Sequence, residues 1–264
     1  MTFWRSKRAS TQDKAVAFDL EAASYARFEN VGLEISGRTI LQDLSLQLNQ
    51  QRIGLVGLNG SGKSSFVRLL NGLRQPTSGR LEIFGADAVA ARKDLPRHVG
   101  FVFQNPDHQA IFPTVEEDVA FGLRQLGEDD RSALEQARDF LSLHGASHLA
   151  QRPIAELSEG QKQLVCILAV LIMQPSLIIL DEPYSSLDAL AARRLHAKLE
   201  SLPQKIVMIS HDPSQLEDFD RVVWIEAGGL RADGAPGEIL KAYDEDIRAK
   251  AAAAGVDDWD RGHL

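Results

Sequence analysis

Gly57-Leu58-Asn59-Gly60-Ser61-Gly62-Lys63-Ser64-Ser65 follows the spacing Gly-x-x-x-x-Gly-Lys-Ser/Thr in full, and the flanking segments supply the strand and helix that this spacing requires. Before it, Ile53-Gly54-Leu55-Val56 reads as the end of a buried strand. After it, Phe66, Val67, Leu69, Leu70 and Leu73 recur at helical spacing. The glycines allow backbone N–H groups to turn inward around an anion, the helix N-terminus adds partial positive charge, and Lys63 adds a full one. All nine residues are therefore expected to line a phosphate site, with Ser64 placed to ligate Mg²⁺. A glycine-rich turn that merely packs would not explain a lysine at the mouth of a helix.

The 264 residues are 44% hydrophobic and 25% charged, which suits one large α/β domain or two intimate subdomains. A net charge of −8 disfavours a sequence-independent grip on nucleic acid. The single cysteine, Cys166, lies in the apolar run Leu164 to Ile172, where a buried inert thiol is expected. Arg5, Lys7 and Arg8 are followed by polar residues where a signal peptide would need an apolar run, so the chain is expected in the cytoplasm. The longest apolar run stops at Gln174-Pro175-Ser176, short of the ~18–20 residues a membrane span needs. Any membrane role is then expected to pass through a partner.

Working outward, residues 1–24 read as a loosely held N-terminal extension, and residues 25–240 as the main domain. Arg27-Phe28-Glu29-Asn30-Val31, Leu33-Glu34-Ile35 and Leu44-Ser45-Leu46-Gln47-Leu48 are short strands with an antiparallel look. Arg80 to Phe84 resumes strand character after a Pro76-Thr77-Ser78-Gly79 turn, and Val99 to Phe103 is another buried strand. From Thr114 to Ala155 the spacing is helical, which predicts an inserted helical subdomain over about 106–160. Leu177-Ile178-Ile179-Leu180 and Ile206-Val207-Met208-Ile209 are apolar at every position, so they are expected to be buried on both faces in a parallel sheet. Val222 to Ile225 and Leu230 to Ala232 read as a closing hairpin, and 241–264 as a C-terminal tail that opens with a short helix, with Asp257-Asp258-Trp259-Asp260 solvated. The predicted fold is α/β, with a mainly parallel core sheet, an N-terminal antiparallel β subdomain and an inserted α-helical subdomain.

Ligands of parallel sheets bind outside the carboxyl ends of the strands, and three such ends carry polar groups: Gln104, Asp181-Glu182 and His211. Beside a nucleoside triphosphate, Asp181 can hold Mg²⁺ and Glu182 can accept a proton from the attacking water. His211 could donate to the γ-phosphate, and the Gln104 amide could reach Mg²⁺ or water. Taken singly, a strand-end histidine or a turn glutamine has a bland reading as a satisfied polar residue. Ser158-Glu159-Gly160-Gln161 forms a capping box before an apolar helix, and Gly160 leaves room for an anion near the exposed N–H groups. Such an anion would sit on another subunit, because this chain's own phosphate loop already has its own helix.

In this order the motifs resemble those of ATP-binding-cassette transporter ATPases, P-loop NTPases, over about Phe28 to Leu240. The resemblance implies that Gly57 to Ser64 is the Walker A, Gln104 the Q-loop, Leu157 to Gln161 the signature, Asp181 the Walker B aspartate and Glu182 the general base. Ser185-Ser186-Leu187-Asp188 resembles the D-loop, and His211 the switch histidine. Val99 to Gln109 and Phe112 to Gly122 are similar to the ATPases of energy-coupling-factor vitamin and metal-ion importers, with the biotin branch favoured by the signature and Asp181-Glu182-Pro183-Tyr184. The implied cofactors are ATP and Mg²⁺. The implied assembly is a head-to-tail dimer with a second ATPase subunit, in which each ATP also meets Ser158, Gly160, Gln161 and Asp188 of the opposing copy. Further implied partners are an integral-membrane coupling protein and a substrate-binding membrane subunit, with the chain peripheral on the inner face of the membrane and no nucleic acid. The rival from another class is a soluble cassette ATPase acting on nucleic acid or ribosomes.

The chain departs from the family pattern in three places. Ile35 stands where an adenine-stacking aromatic is usual, so that stacking passes to Phe28 or Arg38, or is weaker. Glu159 replaces a signature glycine, and its carboxylate is expected to point away from a γ-phosphate. Tyr184 replaces a threonine, with no mechanism that the sequence assigns. His144 and His148 are four apart, but Gly145 interrupts their helix and no third metal ligand is evident.

Overall fold

The computed structural model describes residues 16–253; Trp4 and the basic residues near the N-terminus, and Asp257 to Asp260, lie outside them. An antiparallel sheet is formed by β1 (Ala26–Ile35), β2 (Arg38–Leu48), β4 (Ser78–Ile83) and β5 (Ala86–Asp87), in the order β2-β1-β4-β5. A second, six-stranded sheet has the order β10-β9-β3-β8-β7-β6. Its strands are β3 (Arg52–Val56), β6 (Val99–Val102), β7 (Leu177–Asp181), β8 (Lys205–Ile209), β9 (Arg221–Glu226) and β10 (Gly229–Gly234). All neighbours in it are parallel except the β9–β10 hairpin.

The uninterrupted apolar strands sort by alternation into two cores, one on each face of the larger sheet. Ile53, Leu55, Leu177, Ile179, Val207, Ile209, Val223 and Ile225 face helix α1 (Lys63–Leu70) and the antiparallel sheet. Their neighbours Val56, Ile178, Leu180, Ile206, Met208, Val222 and Trp224 face the other way, toward α4 (Glu159–Leu171), α5 (Ala189–Glu200) and α6 (Pro236–Ala253). This period-2 division is what a sheet covered on both sides requires.

Helices α2 (Val115–Gln125) and α3 (Asp130–Leu143) make the inserted helical part. Both begin at defined caps: Thr114 and Glu117 form a capping box, and Asp129 accepts from Arg131 N and Ser132 N. Ala133, Ala137 and Leu141 recur at four-residue spacing and supply the buried stripe of α3.

Two segments are better anchored than the sequence reading had them. Within the extension, Val16 and Phe18 pack on the core shared by α1 and the antiparallel sheet, the Phe18 ring lies 4.4 Å from that of His98, and Asp19 N donates to Phe84 O at 2.8 Å. At the other end α6 runs to Ala253 and docks on β9, with Tyr243 edge-on to Trp224 at 5.3 Å.

The register of the parallel sheet sets up one polar edge. Val102 pairs with Leu180, Asp181 with Ile209, Leu55 with Ile209 and Val56 with Trp224. The strands therefore run out together, and Gln104, Asp181-Glu182, His211 and the loop after Val56 emerge side by side.

Candidate nucleotide site

The loop between β3 and α1 is a cradle that side chains would fill. A β-carbon at Gly57 would lie 2.2 Å from Ile225 O and 2.7 Å from Ser61 Oγ. Gly62, at φ 108°, precedes α1 in the left-handed region. The loop is braced from outside, because Gly228 N donates to Ser61 O at 2.9 Å and Gln42 N donates to Gly228 O at 2.9 Å. Leu58, Asn59 and Gly60 form its exposed rim, while Ser61 and Lys63 are buried and Gly62, Ser64 and Ser65 are partly buried. Ser61 Oγ has no hydrogen-bond partner among the described residues. A buried hydroxyl without a partner in a glycine-walled concavity suits a phosphate oxygen.

Lys63 Nζ donates to Gly57 O at 2.7 Å and Leu58 O at 3.0 Å. Burial lowers its pKa from the usual lysine value, against the opposing pull of Glu182 and Asp181. Asp181 is only 5% exposed; burial raises its pKa, the neighbouring Glu182 raises it further, and Arg68, the Ser64 hydroxyl and Lys63 oppose them. A buried carboxylate next to a second carboxylate, with the Ser64 hydroxyl near it, is an oxygen-only donor set that fits a hard cation such as Mg²⁺.

Glu182 is held from two sides. Gln104 Nε2 donates to its Oε2 at 2.9 Å, and His211 Nε2 lies 2.6 Å from its Oε1. These sequence-predicted residues thus meet on one carboxylate. The Glu182 backbone has φ 52°, in the left-handed region, which costs a residue with a β-carbon about 1–2 kcal/mol. Its N–H donates to Ile209 O at 3.1 Å and its carbonyl accepts from Ser185 N at 3.2 Å. Ala227 and other non-glycine residues share this conformation; at Glu182 it coincides with the carboxylate that Gln104 and His211 hold, and no sequence pattern reveals it.

Ser158, Gly160, Gln161 and Asp188 form a separate group, lining a cavity of about 400 Å³ between α4 and α5. The capping box is present: Ser158 N donates to Gln161 Oε1 at 3.1 Å and Gln161 N donates to Ser158 Oγ at 3.4 Å. Asp188 caps α5 by accepting from Ala191 N at 2.7 Å. Among the described residues no hydrogen bond joins this group to the phosphate loop. Gly160 also has a packing role, since a β-carbon there would lie 2.9 Å from that of Ala191. Glu159 points along its own helix to Lys162, at 3.2 Å, and Lys162 also bonds Asp107 at 2.8 Å.

Phe28 is unavailable as a substitute for the missing aromatic. It is 2% exposed and stacked on Phe66, with centroids 4.8 Å apart. Arg38 remains exposed at the end of the β1–β2 hairpin, opposite Ile35. Cys166 is buried as expected, its thiol pushed up to about 12 by desolvation. One residue that sequence reasoning missed is Tyr243, whose phenol is turned toward the backbone of Gly57, which opposes the upward pull of burial on its pKa. No spacing signals this contact, because α6 reaches the loop only through its packing on β9.

A family model described as ABC transporter matches residues 41–185. The chain is an ABC transporter ATPase. It is 43% identical over 224 residues to the biotin transport ATP-binding protein BioM of Rhodobacter capsulatus, covering 85% of this chain and 96% of that protein. It is 35% identical to the energy-coupling factor transporter ATP-binding protein EcfA1 of Latilactobacillus sakei, covering 80% and 77%. Among solved structures, cbiO1 of Clostridium perfringens, described as part of the ABC transporter complex cbiONQ, superposes with a TM-score of 0.73 at 28% identity, covering 88% of this chain and 96% of that one. In this ABC ATPase no helix among the described residues is long and apolar enough to cross a membrane.

Proposed function

We propose that this ABC ATPase hydrolyses MgATP between two copies arranged head to tail, and that the cycle powers an importer of the energy-coupling-factor type whose solute is biotin. The observation that carries the hydrolytic reading is the meeting of Gln104 and His211 on the strained Glu182, beside the phosphate cradle. Glu182 takes the proton of the attacking water, and Asp181 beside it stays fixed by burial and the Ser64 hydroxyl. His211 and Gln104 hold the carboxylate in place, and either could donate to a γ-phosphate as charge develops on it. Ser64, Asp181 and Gln104 would hold Mg²⁺, which supplies charge neutralisation on the β- and γ-oxygens. Leu58, Asn59 and Ser65 complete the loop around the phosphates.

The second group, Ser158, Gly160, Gln161 and Asp188, presents a helix N-terminus that this chain's own loop does not use. It supports a two-copy site in which that helix end closes on the partner's triphosphate. Beside Gln104, a cavity of about 520 Å³ lined by Phe103, Ile111, Phe121, Leu126 and Met173 suits the apolar side of a coupling helix from an integral-membrane protein. The solute assignment rests on the likeness to BioM. It is tested by reconstituting the chain with a biotin-binding membrane subunit and a coupling protein in vesicles. ATP-dependent biotin uptake that is lost in Lys63→Ala is expected. ATP hydrolysis with uptake of a metal ion or another vitamin would reassign the solute, and unchanged turnover in Lys63→Ala would remove the hydrolytic reading.

A further inference from the structure

We propose that His196, Glu200 and Asp218 form a binding site for a divalent transition metal of the Zn²⁺ class, on the side of the sheet behind the nucleotide residues. His196 and Glu200 stand one turn apart on α5, with the imidazole Nε2 3.3 Å from Glu200 Oε1. Asp218 comes from a different segment, the connection between the short turn Pro213–Leu216 and β9. One donor atom from each of the three lies within 4.8 Å of the other two. Donors sharing a tetrahedral ion with bonds of about 2.0–2.2 Å stand about 3.3–3.6 Å apart. The 3.3 Å His196–Glu200 contact is already of that length, and no pair among the three donors has to close by more than about 1.5 Å.

The second imidazole nitrogen is also engaged. Tyr184 Oη lies 3.3 Å from His196 Nδ1, and Tyr184 is itself buried. In the tautomer that donates Nδ1–H to the phenol oxygen, Nε2 beside Glu200 is left free to ligate an ion, an outer-shell arrangement typical of metal-ligating histidines. A cavity of about 40 Å³ is lined by Tyr184, His196, Glu200 and Asp218, room for an ion with about one or two waters. Arg52 lines the same cavity, but its guanidinium is bound to the carbonyls of Leu199, Glu200, Leu202 and Gln204. The carboxylate of Asp220, bonded to Arg52 N, offsets its charge. An i,i+4 histidine–glutamate contact alone would account for neither the third donor nor the fixed Nδ1. An imidazole with two carboxylates is a borderline donor set, better suited to Zn²⁺ or Co²⁺ than to Ca²⁺ or Mg²⁺. When occupied, the site would tie α5, which begins at Asp188, to the segment entering β9. It would also bear through Tyr184 on the backbone that holds Glu182.

The test uses the full chain without a polyhistidine tag, stripped with chelator and titrated with Co²⁺ while its visible absorption is followed, with Zn²⁺ as competitor. One Co²⁺ per chain is expected, displaced by Zn²⁺. His196→Ala is expected to weaken binding at least about 100-fold, and Tyr184→Phe about 10-fold as an outer-shell change. Glu200→Gln, which keeps the shape of α5, is the second ligand variant, and far-UV circular dichroism verifies that all three variants are folded. No saturable Co²⁺ signal would overturn the site. So would a signal that survives His196→Ala and Glu200→Gln but disappears in His211→Ala, because the ion would then belong to the Glu182–His211 pair.

Discussion

At Gly160 the signature helix passes so near α5 that an added β-carbon would meet the Ala191 methyl at 2.9 Å. Contacts that close force a shift of one helix, so Gly160→Ala is expected to cost about 1–3 kcal/mol and to lower the melting temperature. Ala191→Gly in the same chain is expected to return part of it, and a Gly160→Ala protein melting like the parent would contradict this account. Tyr243→Phe belongs to the same scale. It removes the hydroxyl turned toward the Gly57 backbone; a hydrogen bond there would be worth about 0.5–1.5 kcal/mol, so ATP affinity measured by calorimetry is expected to fall about 2–10-fold with the fold intact. The two positions differ in how they could be read. Gly57 to Ser65, Asp181 and Glu182 are legible because their chemistry needs neighbouring residues at fixed spacing. Tyr243, Tyr184 and the packing role of Gly160 depend on partners far away in sequence, and no spacing encodes them. Phe28 shows the converse error, since an aromatic in the right region is spent on stacking against Phe66 inside the core.

Among the elements, α2 and α3 are fastened by a paired contact from Arg138 to Glu116, with Nε and Nη2 donating at 2.8 and 2.9 Å. The guanidinium holds the Glu116 carboxyl below its ordinary value of 4.5. A carboxylate with a depressed folded pKa adds stability that is complete above the unfolded pKa and is lost as pH falls through the folded one. The difference in melting temperature between the parent and Glu116→Gln is therefore expected to be positive near neutrality and to shrink below about pH 4.5, reaching zero once Glu116 is protonated in both states. A difference that stayed constant down to strongly acid pH would mean that the pair contributes nothing through its charge. Element identity was legible here from the helical spacing of 114–155, whereas the Thr114 and Asp129 caps are found only in the structure. The full length of α6 was not, because its Ala-, Asp- and Lys-rich sequence carries little apolar period; its docking comes from Ile239, Leu240 and Tyr243 at its start. The placing of residues 16–24 depends likewise on two side chains, Val16 and Phe18, too few to make a pattern.

For the whole molecule, the decisive feature is that the residues expected around one triphosphate lie in two groups, the cradle with Glu182 and the helix end with Ser158, each on its own part of the surface. Two copies facing head to tail would bring each group against the other's complement, and ATP would then act as the glue between subunits. Hydrolysis removes that glue, so blocking the base without changing shape should hold the pair together. Glu182→Gln keeps the side chain's size and its capacity to bond Gln104 or His211, but cannot take a proton. The variant is expected to lose at least about 100-fold in turnover and to elute as a dimer from a sizing column equilibrated with ATP and Mg²⁺. Adding Ser158→Arg, which plants a bulky side chain at the helix end, is expected to return it to monomer with ATP still bound at the cradle. Glu182→Gln that turns over like the parent would leave the proton without its acceptor. A dimer that survives Ser158→Arg would mean that the nucleotide is closed by some other surface, and Ser158, Gly160, Gln161 and Asp188 would then be left with only their capping and packing roles.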